Sequence, residues 1–228
     1  MLETYYQTKL FPLQDDVLRL FQDMDVAFYL TGGTALSRCY LNHRYSDDLD
    51  FFMNANPDFK TQCNKLVSRL KKEPAWNVEL GSVAGTFVRI MLEREDVLLK
   101  IDFVNDVAYR SGEVVTCSIF HRVDNWRNIL SNKICSLSRR DAKDLTDIIF
   151  ISQTYEFNWQ EVIAEAKQKD LWVDPLEICK IIKEFPLHLF ETIKWVRPID
   201  LEKLNVAIHK IHEDIFLGRT NSIVSKPK

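Results

Sequence analysis

Val26-Ala27-Phe28-Tyr29-Leu30-Thr31-Gly32-Gly33-Thr34, followed after thirteen residues by Asp48-Leu49-Asp50-Phe51-Phe52, is the stretch on which the reading of this chain turns. The β-branched and aromatic run ending at Leu30 has the composition of a strand, and Gly32-Gly33 stops it. Thr34 is placed to cap a helix through Ala35, Leu36, Cys39, Tyr40 and Leu41. Backbone N–H groups at a helix start point towards anions, so Gly32, Gly33 and Thr34 form a turn suited to phosphate. In the acidic strand that follows, alternation puts Asp48 and Asp50 on one face, while Leu49 and Phe51 turn to the core. Asp47 points with Leu49 to the opposite side. Two carboxylates beside a phosphate-binding turn are hard oxygen ligands of the kind Mg²⁺ takes.

A third carboxylate follows. Val97 to Val104 is strongly β-prone and holds a single acid, Asp102. Desolvating a lone aspartate in an apolar strand is costly unless it is paired or metal-bound. Pairing with Lys100 or Arg89 is the structural alternative. If the strand lies beside the first pair, Asp48, Asp50 and Asp102 make a cluster able to hold two Mg²⁺ ions. One would activate an attacking hydroxyl and one would bridge a triphosphate.

The 228 residues suffice for one large domain or two small ones with a proper core. With 46% hydrophobic residues and 14 Phe, the chain is a folded globular protein rather than a disordered one. A formal net charge of −3 gives no support for broad electrostatic binding to nucleic acid. No apolar run is long enough to span a membrane, and the N-terminus lacks a signal-peptide profile. The five cysteines, Cys39, Cys63, Cys117, Cys135 and Cys179, lack metal-ligand spacing and read as reduced thiols of a cytoplasmic protein.

Along the chain, Leu13 to Met24 has helical periodicity, and a second helix is expected from Asn56-Pro57-Asp58 to about Lys71. Three β-type runs follow, at Trp76 to Val83, Thr86 to Leu92 and Val97 to Val104, with Val114 to Phe120 as a candidate edge strand. From Trp126 onward the pattern is helical, and the polar tail after Gly218 is expected to fray. The fold class is therefore α/β (α+β): a small mixed-sheet domain over residues 1–123, then a helical domain over residues 124–228. On the helix from Trp126 to Leu137, Lys133 sits on or beside the apolar stripe, where it either snorkels or reaches a buried anion. Arg140, Asp144 and Asp147 share one flank of the next helix. Asp144 and Asp147 are either site residues or partners of Arg140 and Lys143 on a solvated face.

The Gly-Gly-Thr turn, Asp-x-Asp and the later strand aspartate resemble the polymerase-β-type nucleotidyltransferases. The fuller string Gly32-Gly33-Thr34-Ala35-Leu36, His43-Arg44-Tyr45-Ser46 and Asp48-Leu49-Asp50-Phe51-Phe52 resembles the AbiEii/AbiGii toxin branch. So does a third block, Lys133, Arg139-Arg140, Lys143-Asp144-Leu145 and Asp147. The resemblance runs from about Tyr29 to Ile151, and threonine stands where many members of the wider superfamily have serine. It implies an Mg²⁺-dependent transfer of NMP from an NTP to an acceptor hydroxyl, with Asp48, Asp50 and Asp102 as metal ligands and Lys133 on phosphate. Gly32, Gly33, Thr34, Arg44 and Asp147 join Lys133 as nucleotide-binding candidates. It also implies a toxin of a toxin–antitoxin or phage-defence system, with tRNA or another RNA as acceptor and a cognate antitoxin as partner. Two rival readings are a small-molecule nucleotidyltransferase of the aminoglycoside-modifying kind and a catalytically silent nucleotide-binding or interaction protein. A basic surface of Arg122, Arg127, Arg139 and Arg140 would favour RNA; an acidic one would favour a cationic small molecule. For His43 the expectation is a charged loop; Arg44 is expected to grip phosphate or brace the aspartates.

Overall fold

The computed structural model describes residues 2–225. The chain forms two compact units: Met1–Cys39, Tyr45–Ala108 and Glu113–Asp124 make the first, and Tyr40–Arg44, Tyr109–Gly112 and Asn125–Lys228 the second.

The first unit is built on a seven-stranded mixed sheet in the order β3-β4-β5-β2-β1-β7-β6. The strands are β1 (Tyr29–Thr31), β2 (Leu49–Asn54), β3 (Asn77–Val83), β4 (Phe87–Arg94), β5 (Val97–Asp106), β6 (Val115–Cys117) and β7 (Phe120–Val123). Central β2 runs antiparallel to β1 and parallel to β5, with Asp50 opposite Asp102. Leu49, Phe51 and Met53 are buried while Asp50, Phe52 and Asn54 are half-exposed, so β2 has a core face and a polar face. Helix α1 (Leu2–Tyr5) leads through a π-helical turn (Tyr6–Leu10) into α2 (Phe11–Gln22). A further helix, α4 (Phe59–Leu70), buries Phe59, Cys63, Leu66, Val67 and Leu70. Aromatic rings join these helices to the sheet: Phe21 meets Phe51 at 5.1 Å, and Phe28 meets both Phe103 at 5.1 Å and Phe59 at 6.0 Å. Each such ring removes about 150–250 Å² from water, so this cluster contributes substantially to the unit's stability.

Three sequence expectations change here. The run at Val114 to Phe120 does supply an edge strand, β6, but it turns there into a second strand, β7, which pairs in parallel with β1 through Leu30 and Val123. The turn between them, Ser118-Ile119, has none of the glycine or asparagine that advertises a two-residue hairpin. The helix after the glycines, α3 (Gly32–Ala35), starts at Gly32, so Thr34 lies inside its first turn rather than capping it, and it continues as a π-helix over Leu36–Leu41. Cys39 and Cys117 form a disulfide, with Cα atoms 5.9 Å apart, against the reading of all five cysteines as reduced. Cys63, Cys135 and Cys179 are free thiols.

The second unit is helical: α5 (Trp126–Ser136), α6 (Ala142–Thr154), α7 (Trp159–Lys167), α8 (Pro175–Lys183) and α9 (Leu201–Phe216). Each starts with a side-chain cap, from Asn125, Asp141, Asn158, Asp174 and Asp200 in turn, accepting backbone N–H bonds of the first turn. Such a cap contributes about 1 kcal/mol to each helix start. Trp159 is fully buried. The tail after Gly218 does not fray through its described length. Buried Asn221 donates to the carbonyls of Ser152 and Tyr155, and the backbone N–H of Ser225 to that of Gln153. Lys226 to Lys228, the end of the stretch expected to fray, lie outside the described residues. Among the described residues, no helix is long and apolar enough to cross a membrane.

Candidate active site

Two groups of charged residues stand out, one in each unit. In the first unit, the parallel register of β2 and β5 sets Asp50 beside Asp102, and Asp48, just before β2, shares Lys100 with Asp102. Gly32 makes room for this arrangement. A Cβ there would lie 2.4 Å from Oδ2 of Asp50, and the residue has φ +69°, a conformation that suits glycine. The glycine turn and the second aspartate are thus packed against one another. Thr34 is fully buried and its hydroxyl donates to the carbonyl of Asp48, so it fixes the approach to β2.

Cations of the chain itself neutralise this face. Arg89 grips Asp102 with two bonds of 2.8 Å, realising the pairing that the sequence left open. Lys100 contacts Asp48 at 2.6 Å and Asp102 at 4.0 Å. Burial opposes the charge on Lys100, but the carboxylates of Asp48, Asp102 and Asp50 hold its pKa above the ordinary lysine value. Asp47, on the other face, accepts a hydrogen bond from Tyr6. As a donor set, three neighbouring carboxylates fit a divalent cation. Among the described residues, however, no group of three acidic, histidine or cysteine side chains is arranged as a finished metal centre. Asp50 and Asp102 are neighbours in register, Lys100 contacts both Asp48 and Asp102, and Arg89 pairs with Asp102.

In the second unit, Asp147 is fully buried and surrounded by donors. Arg44 Nε and one terminal nitrogen each bond it at 2.7 Å, His43 Nε2 lies at 2.8 Å, and Lys133 Nζ at 2.8 Å. Lys133 also bonds Asp144 at 2.8 Å, and Arg139 closes on Asp144 at 2.7 Å. Burial alone would raise the Asp147 pKa, but Arg44, Lys133 and His43 hold it well below the usual carboxylate range. For Lys133, burial opposes the charge and the two aspartates outweigh it, leaving its pKa raised. His43 is pushed down by burial, more than its bond to Asp147 lifts it. With Asp147 ionised and able only to accept, Nε2 of His43 carries the proton.

Several candidates are thereby redefined. Arg44 braces a buried aspartate, Asp147. Asp144 and Asp147 are buried members of a charge network rather than partners of Arg140 and Lys143; Arg140 instead pairs with Glu184 at 3.3 Å. His43, read as a charged loop residue, is 6% exposed and belongs to the same network. The cue in the sequence is the Asp-x-x-Asp spacing of α6, which puts both acids on the flank where Lys133 and Arg44 meet them. Of the four arginines whose basic surface would favour RNA, Arg122 and Arg127 are engaged by groups of the chain itself, while the side chains of Arg139 and Arg140 stay half or more exposed beside their acidic partners. Arg122 donates to the carbonyls of Ala27 and Phe28, and Arg127 to Glu161 and Glu165.

Solved structures share this fold. JHP933 from Helicobacter pylori matches with a TM-score of 0.62 and 23% identity over 91% of this chain and 92% of that one. MenT4, a nucleotidyltransferase toxin of Mycobacterium tuberculosis, matches with a TM-score of 0.59 and 15% identity over 94% of this chain and 85% of that one. Among curated protein sequences none matches. One family, described as nucleotidyl transferase AbiEii toxin of a type IV toxin–antitoxin system, matches over residues 18–203, and the chain belongs to that family.

Proposed function

We propose that the protein transfers an NMP from an NTP to a hydroxyl of an RNA acceptor, tRNA foremost, in an Mg²⁺-dependent reaction that releases pyrophosphate. The observation that carries this reading is the packing of Asp50 against Gly32, with Asp102 beside it in register and Asp48 sharing Lys100 with Asp102. A phosphate-type turn and adjacent carboxylates are then parts of one construction. Asp48, Asp50 and Asp102 would hold the metal. Bound there, Mg²⁺ supplies a lowered pKa for the attacking hydroxyl and screening of the triphosphate charge.

The chain's own residues have distinct tasks. Gly32 and Gly33 admit the phosphates close to the backbone, and Thr34 keeps the start of β2 in place. Lys133 donates to Asp144 and Asp147, which leaves one of its three ammonium hydrogens for a phosphate oxygen. Arg44 acts through Asp147 as a positioning residue. Membership of the toxin family and the likeness to MenT4 support a toxin role, opposed by a cognate antitoxin in the cytoplasm.

The test is incubation with Mg²⁺, each α-³²P-labelled NTP in turn and total tRNA, with the Asp48→Asn/Asp50→Asn double variant as control. Label on RNA with the wild type alone is the expected result and also identifies the base. Equal labelling by the double variant would remove the proposed metal site. Transfer only to added small molecules would move the acceptor to the aminoglycoside-like class.

A further inference from the structure

The helical unit contains a cavity of about 440 Å³ that the transfer site does not use. It lies between the Leu41–His43 segment, α6, and the stretch from Trp195 to Leu204. Three ring systems line it in series: His43 and Phe150 are 4.9 Å apart between centroids, and Phe150 and Trp195 are 5.8 Å apart. Trp195 is only partly buried, yet its ring is held. The indole N–H donates to the carbonyl of Phe190 at 3.1 Å, and the backbone of Trp195 bridges to Arg44. The N–H of Val196 reaches the carbonyl of His43 at 3.2 Å.

The polar lining is equally specific. Gln153 offers an amide, donor and acceptor at once. Arg197 is exposed at the cavity, and no ion-pair partner for it occurs among the described residues. Lys203 carries a second positive charge, already shared with Asp200 at 3.5 Å. His43, whose Nε2 is committed to Asp147, has its Nδ1 buried with no hydrogen-bond partner among the described residues. A fixed aromatic series, an amide and one uncommitted guanidinium are the groups that recognise an unstacked base and its phosphate. The volume accommodates a nucleoside.

We propose that this cavity binds one nucleotide of a single-stranded RNA segment, the base against Phe150 and Trp195 and the phosphodiester on Arg197. One free guanidinium beside an ammonium shared with Asp200 matches the single charge of a backbone phosphate, whereas a triphosphate would need more. The proposal rests on the nucleotidyltransferase reading and deepens it by giving the acceptor strand a place to be held. Because His43 lines the cavity and also bonds Asp147, an occupant touches the same residue that orients the Lys133 network.

The experiment is equilibrium binding of a fluorescent single-stranded oligoribonucleotide to the full chain, without turnover. Trp195→Leu and Arg197→Ala should each weaken binding by about ten-fold, the range expected for one lost stacking platform or one phosphate contact, and Trp195→Phe should recover most of the loss. Arg197→Ala should also flatten the salt dependence while leaving the unfolding temperature unchanged, which separates a binding role from a folding defect. Photocross-links from 5-iodouridine in the oligonucleotide should map to Phe150 or Trp195. Wild-type affinity in both variants, or cross-links confined to other residues, would overturn the proposal. So would displacement of the oligonucleotide by free NTP at this cavity, since that assigns it to the donor. Loss of label transfer in Asp50→Asn with intact oligonucleotide binding concerns the catalytic reading alone, so the two fail separately.

Discussion

Gly32 shows how much a single residue decides. Its missing Cβ leaves the space that Asp50 Oδ2 occupies, so Gly32→Ala meets both a steric clash and a positive φ. The expected outcome is loss of transfer with a stability cost of about 1–3 kcal/mol in urea titrations; an active, fully stable variant would separate the turn from the acid. Lys100 lies on the same face with the opposite effect. Its ammonium occupies Asp48, a ligand that a divalent ion would need. The pair is about one-third exposed, so removing it should tighten binding modestly. Lys100→Met is expected to strengthen Mn²⁺ binding, read by electron paramagnetic resonance, by about two- to five-fold. Weaker binding would show instead that Lys100 orders the carboxylates. His43 gives a pH signature. Burial holds its pKa below the ordinary histidine value, so between those two pKa values the unfolded chain binds a proton that the folded chain refuses. Stability should therefore fall as pH drops below about 6.5, and His43→Gln should remove that slope. An identical pH profile in the variant would assign the titration elsewhere.

Elements differ in how openly the sequence announces them. The strands β2 and β5 are legible because their acids break an otherwise apolar alternation at Asp48, Asp50 and Asp102. The helical character of the chain from Trp126 onward is legible from periodicity. The hairpin β6–β7 is hidden by its turn residues, and the anchored tail by the fact that Asn221 finds its partners 66 and 69 residues away. The α5–α6 pair sits between these cases. The stripe position of Lys133 points to a buried anion, but only packing shows that Asp147 has four donors and Asp144 fewer. That difference orders the variants. Asp147→Asn leaves Arg44 and Lys133 buried beside a neutral group, and should cost about 3–5 kcal/mol. Asp144→Asn should cost clearly less, because the Arg139 side chain is 63% exposed and returns to water. Chemical denaturation of both variants checks this, and equal losses would mean that the network shares charge more evenly than its burial indicates.

For the molecule as a whole, the sequence carries the mixed α/β fold class, because strand and helix periodicities rest on residue types repeated at short spacing. Long-range pairings lie beyond it, and the disulfide is the plainest instance. Five cysteines without a motif and a chain that reads as cytoplasmic argue for reduced thiols, whereas folding brings Cys39, after the glycine turn, against Cys117 on β6. The two are 78 residues apart in sequence. When disulfide stabilisation is assigned to loop closure, a crosslink over that length removes chain entropy from the unfolded state worth about 4 kcal/mol. The unfolding temperature of the first unit should then drop by roughly 15–20 °C when reductant is added. Cys117→Ser should reproduce the reduced value and become insensitive to reductant. Cys63 offers no competing partner: burial pushes its thiol up to about 12, which keeps it protonated and unreactive at neutral pH. Alkylation of the unreduced, denatured protein should therefore label three cysteines of the five. Labelling of all five would show that the pair stays reduced in solution, and the stability of the first unit would then rest on its non-covalent core alone.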